Sequence, residues 1–196
     1  MNGWPPADRF DPQPTLRGEL VHLRPLREED YAALQAVGSD PLIWEQHPDR
    51  NRHEPAVFRA FFRQAMERGG ALAVIDAVTG EVIGSSRYHG YDGARNEVEV
   101  GWTFLARRYW GGRYNGEMKR LMLEHAFRFV DHVIFVIGPE NRRSQRAVEK
   151  IGGTFLEMRS LEQGERCVYR ISAPRRSMPA PARKHASAAA TQPRNG

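Results

Sequence analysis

Cysteine is nearly absent: the 196-residue chain has one, Cys167. A lone thiol forms no intrachain disulfide, which fits a reducing compartment. It sits in the apolar run Cys167-Val168-Tyr169 and is expected to be a buried structural thiol rather than a nucleophile. No apolar run approaches the about 20 residues that cross a bilayer, and no basic-then-apolar pattern predicts a signal peptide. The expected location is therefore the cytoplasm, away from the membrane. A Gly-x-Ser-x-Gly elbow is missing, as is any Ser/His/Asp grouping that would point to a hydrolase. The histidines show no metal-ligand spacing, so no metal is expected. Acid is missing from one segment. After Ala173 the chain carries Arg175, Arg176, Arg183, Lys184 and Arg194 without an Asp or Glu. Taking these five from 29 basic residues leaves 24, against 24 acidic ones, so the net charge of +5 belongs to the tail. A neutral domain argues against a nucleic-acid-binding surface.

What is present is organised around residues 97–153. Val98, Val100, Trp102 and Phe104 alternate with Glu97, Glu99, Gly101 and Thr103, which predicts a strand with the first four on one face. A turn rich in glycine and cation follows, Arg108-Tyr109-Trp110-Gly111-Gly112-Arg113-Tyr114-Asn115. Met118, Leu121, Met122, His125, Ala126 and Phe129 then recur at helical spacing. The run Val133-Ile134-Phe135-Val136-Ile137 reads as a buried strand. Strand, glycine turn, helix and strand make a βαβ crossover, so the two strands should be parallel. A glycine turn that opens a helix also suits phosphate, because orphan N–H groups and the helix dipole point into it.

On either side the period changes. Leu20, Val21 and Leu23 predict a first strand, Glu28 to Val37 a helix, 42–53 an irregular aromatic segment, and Pro55 to Arg68 a helix burying Val57, Phe58, Phe61, Phe62 and Ala65. Ala71 to Val78 and Glu81 to Tyr88 predict a hairpin turning at Thr79-Gly80. After the crossover come a short helix from Ser144 to Ile151 and two strands, 154–161 and 165–172, joined at Gln163-Gly164. The expected fold is α/β (α+β): a mixed, mostly antiparallel sheet of about seven strands around a parallel βαβ unit, with helices on both faces. Residues 1–14, with four prolines, are expected to be a flexible arm, and 174–196 a disordered basic tail.

The central stretch resembles the GNAT superfamily of N-acetyltransferases, in its RimJ/RimL-like branch, which acetylates ribosomal-protein N-termini and other amines. The likeness lies in Glu99-Val100-Gly101-Trp102, Tyr109-Trp110-Gly111 and His125-Ala126-Phe127, then in Asn141, Ser144 and Glu149-Lys150-Ile151-Gly152. Leu23-Arg24-Pro25-Leu26-Arg27-Glu28-Glu29-Asp30 is similar to the family's first strand and helix, so the likeness covers residues 15–173. It implies acetyl-CoA as co-substrate, held between the two parallel central strands. The family's diphosphate loop reads Arg/Gln-x-x-Gly-x-Gly/Ala; here Trp110, Arg113 and Asn115 stand at the three specified positions. The cradle expected here is Arg108, Gly111, Gly112, Arg113, Tyr114 and Asn115.

The resemblance also implies roles. Glu99 matches the glutamate that takes the amine proton through water, and Glu97, about 7 Å away by strand rise, would share that work or bind a cationic acceptor. Backbone N–H groups at Phe104 and Leu105 would polarise the thioester carbonyl. Ser144 matches the hydroxyl beside the CoA sulfur, and Asn141 would bind the pantetheine arm or acceptor. Trp44, His47, Arg87 and Tyr88 are the expected acceptor wall. The acceptor is a primary amine, on a protein N-terminus or a small molecule. The family often forms dimers, which leaves a homodimer open. Two alternatives stand beside the enzyme: a non-catalytic acyl-CoA-binding or regulatory protein, and an RNA-associated protein recruited by the tail.

Overall fold

The structure, a computed structural model, describes residues 9–162 and 164–174. Most of the expected basic tail and the first eight residues of the expected arm lie outside the described residues. The elements run β1 (Leu16–Arg17), β2 (Val21–Pro25), α1 (Tyr31–Gly38), α2 (Pro41–Trp44), α3 (Pro55–Arg68), β3 (Ala71–Asp76), β4 (Val82–Asp92), β5 (Glu97–Leu105), α4 (Arg113–Ala126), β6 (His132–Ile137), α5 (Arg142–Glu149), β7 (Thr154–Leu161) and β8 (Gly164–Ser172). One sheet takes them in the order β1-β2-β3-β4-β5-β6-β8-β7. Every neighbouring pair is antiparallel except β5 and β6, the expected crossover pair. Two-residue β1 makes eight strands where about seven were expected.

Local chemistry sets most boundaries. Asp30 accepts from Arg27 N–H at 2.9 Å and takes both arms of the Arg24 guanidinium at 2.8 and 2.7 Å, so the helix expected from Glu28 begins as a 3-10 turn. The segment expected to be irregular contains α2, whose first turn Asp40 caps by accepting from Leu42 N–H, with Pro41 at the first helical position. Pro55 opens α3 in the same way. Glu117 on α4 accepts N–H bonds from Glu19, Leu20 and Val21 at 3.0, 2.7 and 2.9 Å, which pins the start of β2 to that helix.

The sheet carries a core on each face. On one, Met118, Met122 and Ala126 of α4 and Val148 of α5 pack on Val98, Val100 and Val133. On the other, Leu34, Trp44, Phe58 and Phe62 from α1, α2 and α3 pack on Ala73 and Phe104. Phe10, inside the stretch expected to be a loose arm, is buried in the first of these cores.

β5 does not alternate to its end. Ser85 pairs with Phe104 but Arg87 pairs with Gly101, so one extra residue sits on β5. That bulge falls at Trp102, which has φ +49°, a conformation strained for an aromatic residue. It inverts the faces: Val98 and Val100 point to α4, whereas Phe104 points to α3 and Leu105 to α4. The expectation of one face for Val98, Val100, Trp102 and Phe104 is thus corrected. Opposite the bulge, a Cβ on Gly84 would come within 2.1 Å of the Phe104 carbonyl oxygen. Gly84→Ala should therefore destabilise the fold by about 1–3 kcal/mol, as overpacking does; a denaturant midpoint equal to wild type would contradict this close approach.

Candidate active site

β5 and β6 pair over only three residues, ending at Glu99 opposite Ile134. Beyond them β5 follows β4 and β6 follows β8, and a cleft of ≈ 600 Å³ opens where they part. Glu99 lines it just at the point of parting. As the residue between Val98 and Val100, it faces away from α4. Burial raises its pKa to about 7, although Arg159 and Arg87 pull the other way. His47 lines the same cleft, but burial and the neighbouring Arg52 lower it to about 4, so it is neutral and a poor proton acceptor near pH 7.

At the far end of the cleft lies the start of α4. Gly111 has φ +67° and Gly112 is extended, and no side chain caps the helix, so its first N–H groups are left for a ligand. Gly111 and Asn115 line the cleft, as do Phe104 and Leu105 from the expected carbonyl-polarising segment. Gly112, Arg113 and Tyr114 flank it without lining it; Arg113 is exposed, and the Tyr114 ring packs at a tilt against Tyr109, 4.7 Å between centres. Arg108 is turned outward to Glu81 at 2.7 Å, a correction to its expected place in the cradle. Trp110 lines the cleft and carries the Arg143 guanidinium 4.1 Å above its ring.

α5 supplies the third wall. Asn141, buried, caps it by accepting from Ser144 N–H at 3.1 Å. Both side chains line the cleft. Of the expected acceptor wall, Trp44 and His47 are present, with His89 edge-on to Trp102 at 4.9 Å between ring centres. Tyr88 and Arg87 are not. β4 runs on to Asp92, so both lie mid-strand and are covered on their own faces. The Tyr88 hydroxyl donates to the Met122 carbonyl at 2.7 Å, and Arg87 lies buried 4.8 Å from the Trp102 ring. Glu97 is also apart: it is largely buried beside Arg95 at 3.7 Å and does not line the cleft.

The family model described as the acetyltransferase (GNAT) domain matches residues 21–154. The chain belongs to the GNAT family. It is an N-acetyltransferase by that membership. Solved structures share its fold. A GNAT-family acetyltransferase from Bacillus anthracis is 21% identical, with a TM-score of 0.66 over 81% of this chain and 98% of that one. A GCN5-related N-acetyltransferase from Brucella melitensis is 19% identical, with a TM-score of 0.71 over 82% and 79%. Mycobacterium smegmatis RimJ, in complex with CoA-disulfide, is 19% identical, with a TM-score of 0.59 over 82% and 86%.

Within this GNAT cleft stand groups that sequence reasoning passed over. Arg52 lines it beneath Trp44 and Phe61, held by Asp49 at 2.6 Å. Lys119 of α4 is buried in its wall. Its sequence signal was its spacing: Lys119 precedes Met122 and Ala126 by three and seven residues, on the inward stripe of the helix.

Proposed function

We propose that the protein transfers an acetyl group from acetyl-CoA to a primary amine by direct attack, with Glu99 accepting the amine proton through a water molecule. The observation that carries this reading is Glu99 itself. It is a half-buried carboxylate whose pKa of about 7 suits a general base near neutral pH, at the point where the parallel strands part and the cleft begins.

The cleft fits the co-substrate. Uncapped N–H groups at the start of α4 would bind the diphosphate, with Asn115 beside them and Arg143 at the mouth over Trp110. Acetyl-CoA, when bound, supplies the activated thioester carbonyl. Backbone N–H groups at Phe104 and Leu105, next to the Trp102 bulge, would polarise that carbonyl. The Asn141 amide nitrogen has no partner among the described residues and would bind the pantetheine arm. The Ser144 hydroxyl would donate a proton toward the departing sulfur. The acceptor enters from the Glu99 side, along the wall that holds Trp44 and His47, and a protein N-terminus or a small-molecule amine meets the requirement. Likeness to RimJ supports the RimJ/RimL-like branch.

Calorimetric titration with acetyl-CoA and with free CoA tests the co-substrate. Saturable micromolar binding of both, followed by thiol release on adding an amine, is the expected result. Absence of binding would overturn the reading.

A further inference from the structure

Lys119 takes no part in the transfer described above, yet it is buried in the wall of the same cleft. It lies six residues past Arg113 on α4, about 9 Å down the helix axis. Its ammonium donates to Thr103 Oγ1 at 2.5 Å and Ser86 Oγ at 3.4 Å, two hydroxyls themselves 2.7 Å apart. The Phe135 ring centre is 5.4 Å away. An ammonium has three N–H donors. Two are used, and the third meets no oxygen or nitrogen acceptor among the described residues. Among the described residues no carboxylate offsets the charge, and burial pushes Lys119 down to about 7. A leucine or methionine would fill this helix position without that cost. A paired set of hydroxyls holding a cation that lacks a counter-ion is a site built for an anion.

The anion's source follows from position. Lys119 bonds to Thr103, four residues past Glu99 on β5 and next to Phe104, so it stands at the depth of the N–H groups that would polarise the thioester carbonyl rather than at that of Glu99. The two occupy opposite faces. Glu99 faces away from α4, while Thr103, past the bulge, faces Lys119 on α4. An acceptor amine served by Glu99 therefore approaches from one side of the parting strands, and a group reaching Lys119 leaves by the other. Phosphates belong at the start of α4, a turn and a half away. What remains at that depth is the acyl chain.

We infer that Lys119 reads a carboxylate at the far end of the acyl chain, so that the donor this enzyme prefers is the CoA thioester of a short dicarboxylic acid. The inference rests on the acyltransferase reading and narrows its donor. The bonds that change are the same. The amine nitrogen bonds to the acyl carbon, the carbon–sulfur bond breaks, the amine proton goes to Glu99 through water, and the sulfur leaves as the thiol with a proton that the Ser144 hydroxyl donates and solvent restores. The distal carboxylate is untouched, held by Lys119.

The test compares succinyl-CoA with acetyl-CoA, by calorimetric affinity and by thiol release with one amine, in wild type and Lys119→Met. One charge-assisted hydrogen bond in a dry pocket predicts roughly tenfold to hundredfold tighter binding of succinyl-CoA by wild type. That preference should vanish in K119M, a substitution close in volume. Equal affinity of wild type for the two donors overturns the inference and leaves the acetyltransferase reading standing. Equal losses on both donors in K119M would assign Lys119 to the thioester and also overturn it. If wild type binds neither donor, the acyltransferase reading fails with it.

Discussion

Glu99→Gln should lower kcat about 10²- to 10⁴-fold, the range general-base catalysis supplies, while the affinity for CoA stays at the wild-type value. Glutamine keeps the shape and a hydrogen-bonding end but takes no proton at neutral pH. The pH profile sharpens this result. Burial disfavours the charged carboxylate and raises its pKa to about 7, against the opposing pull of Arg159 and Arg87. The base works when ionised. The logarithm of kcat/KM for the amine should therefore climb with pH below about 7 and level off above it. In E99Q that limb should be lost. A variant that keeps most of the wild-type rate, or a wild-type profile flat across pH 6 to 8, would remove Glu99 from the role and leave the cleft without its base. His47 would not replace it, since it is already neutral well below that range and has its own backbone partner, Asp49 N–H.

Much of this arrangement is legible in the sequence, because the change of hydrophobic period is a local signal. Pro55 and Arg68 bound a helix in both readings, and the Thr79-Gly80 turn and the parallel crossover appear where the spacing predicts them. Glu99 is found by its place on the strand before Gly101-Trp102. The Trp102 bulge is not legible, because alternation in sequence continues through it while the backbone inserts one unpaired residue. Everything that depends on the later half of β5 then changes face, including Thr103, which becomes the partner of Lys119. Lys119 itself sits at an inward helical position, but a lysine reads as solvated unless the stripe is trusted over the residue type. Arg87 and Tyr88 fail for another reason. The sequence pattern ends the strand with them, yet it continues to Asp92, so both are buried mid-strand where a strand end would be open.

Phe10→Ala should cost about 3–5 kcal/mol of stability, as truncation of a buried phenylalanine does. Four prolines in the first fourteen residues hide this anchor, since the pattern around it reads as irregular chain. Phe10 is fully buried, with its ring 5.2 Å from Tyr88, 5.6 Å from Tyr91, 5.6 Å from Phe129 and 6.0 Å from His125. Its neighbour Asp11 offers a carbonyl to which the His125 Nε2–H donates at 2.7 Å. Residues 10 and 11 therefore fasten the C-terminal half of α4 to β4, and Tyr88 adds a second tie through the Met122 carbonyl. Alanine would leave a cavity among rings that rigid strands and a helix hold apart. For a domain of this size the loss corresponds to a melting temperature lower by roughly 6–20 °C. Phe10→Leu, which retains most of the volume, should recover the larger share. A fall of only a degree or two in F10A would mean that the segment before β1 merely lies on the core. The expected larger fall would make it part of the scaffold that sets α4, and with it the N–H groups of Gly112 to Asn115, against the parting strands.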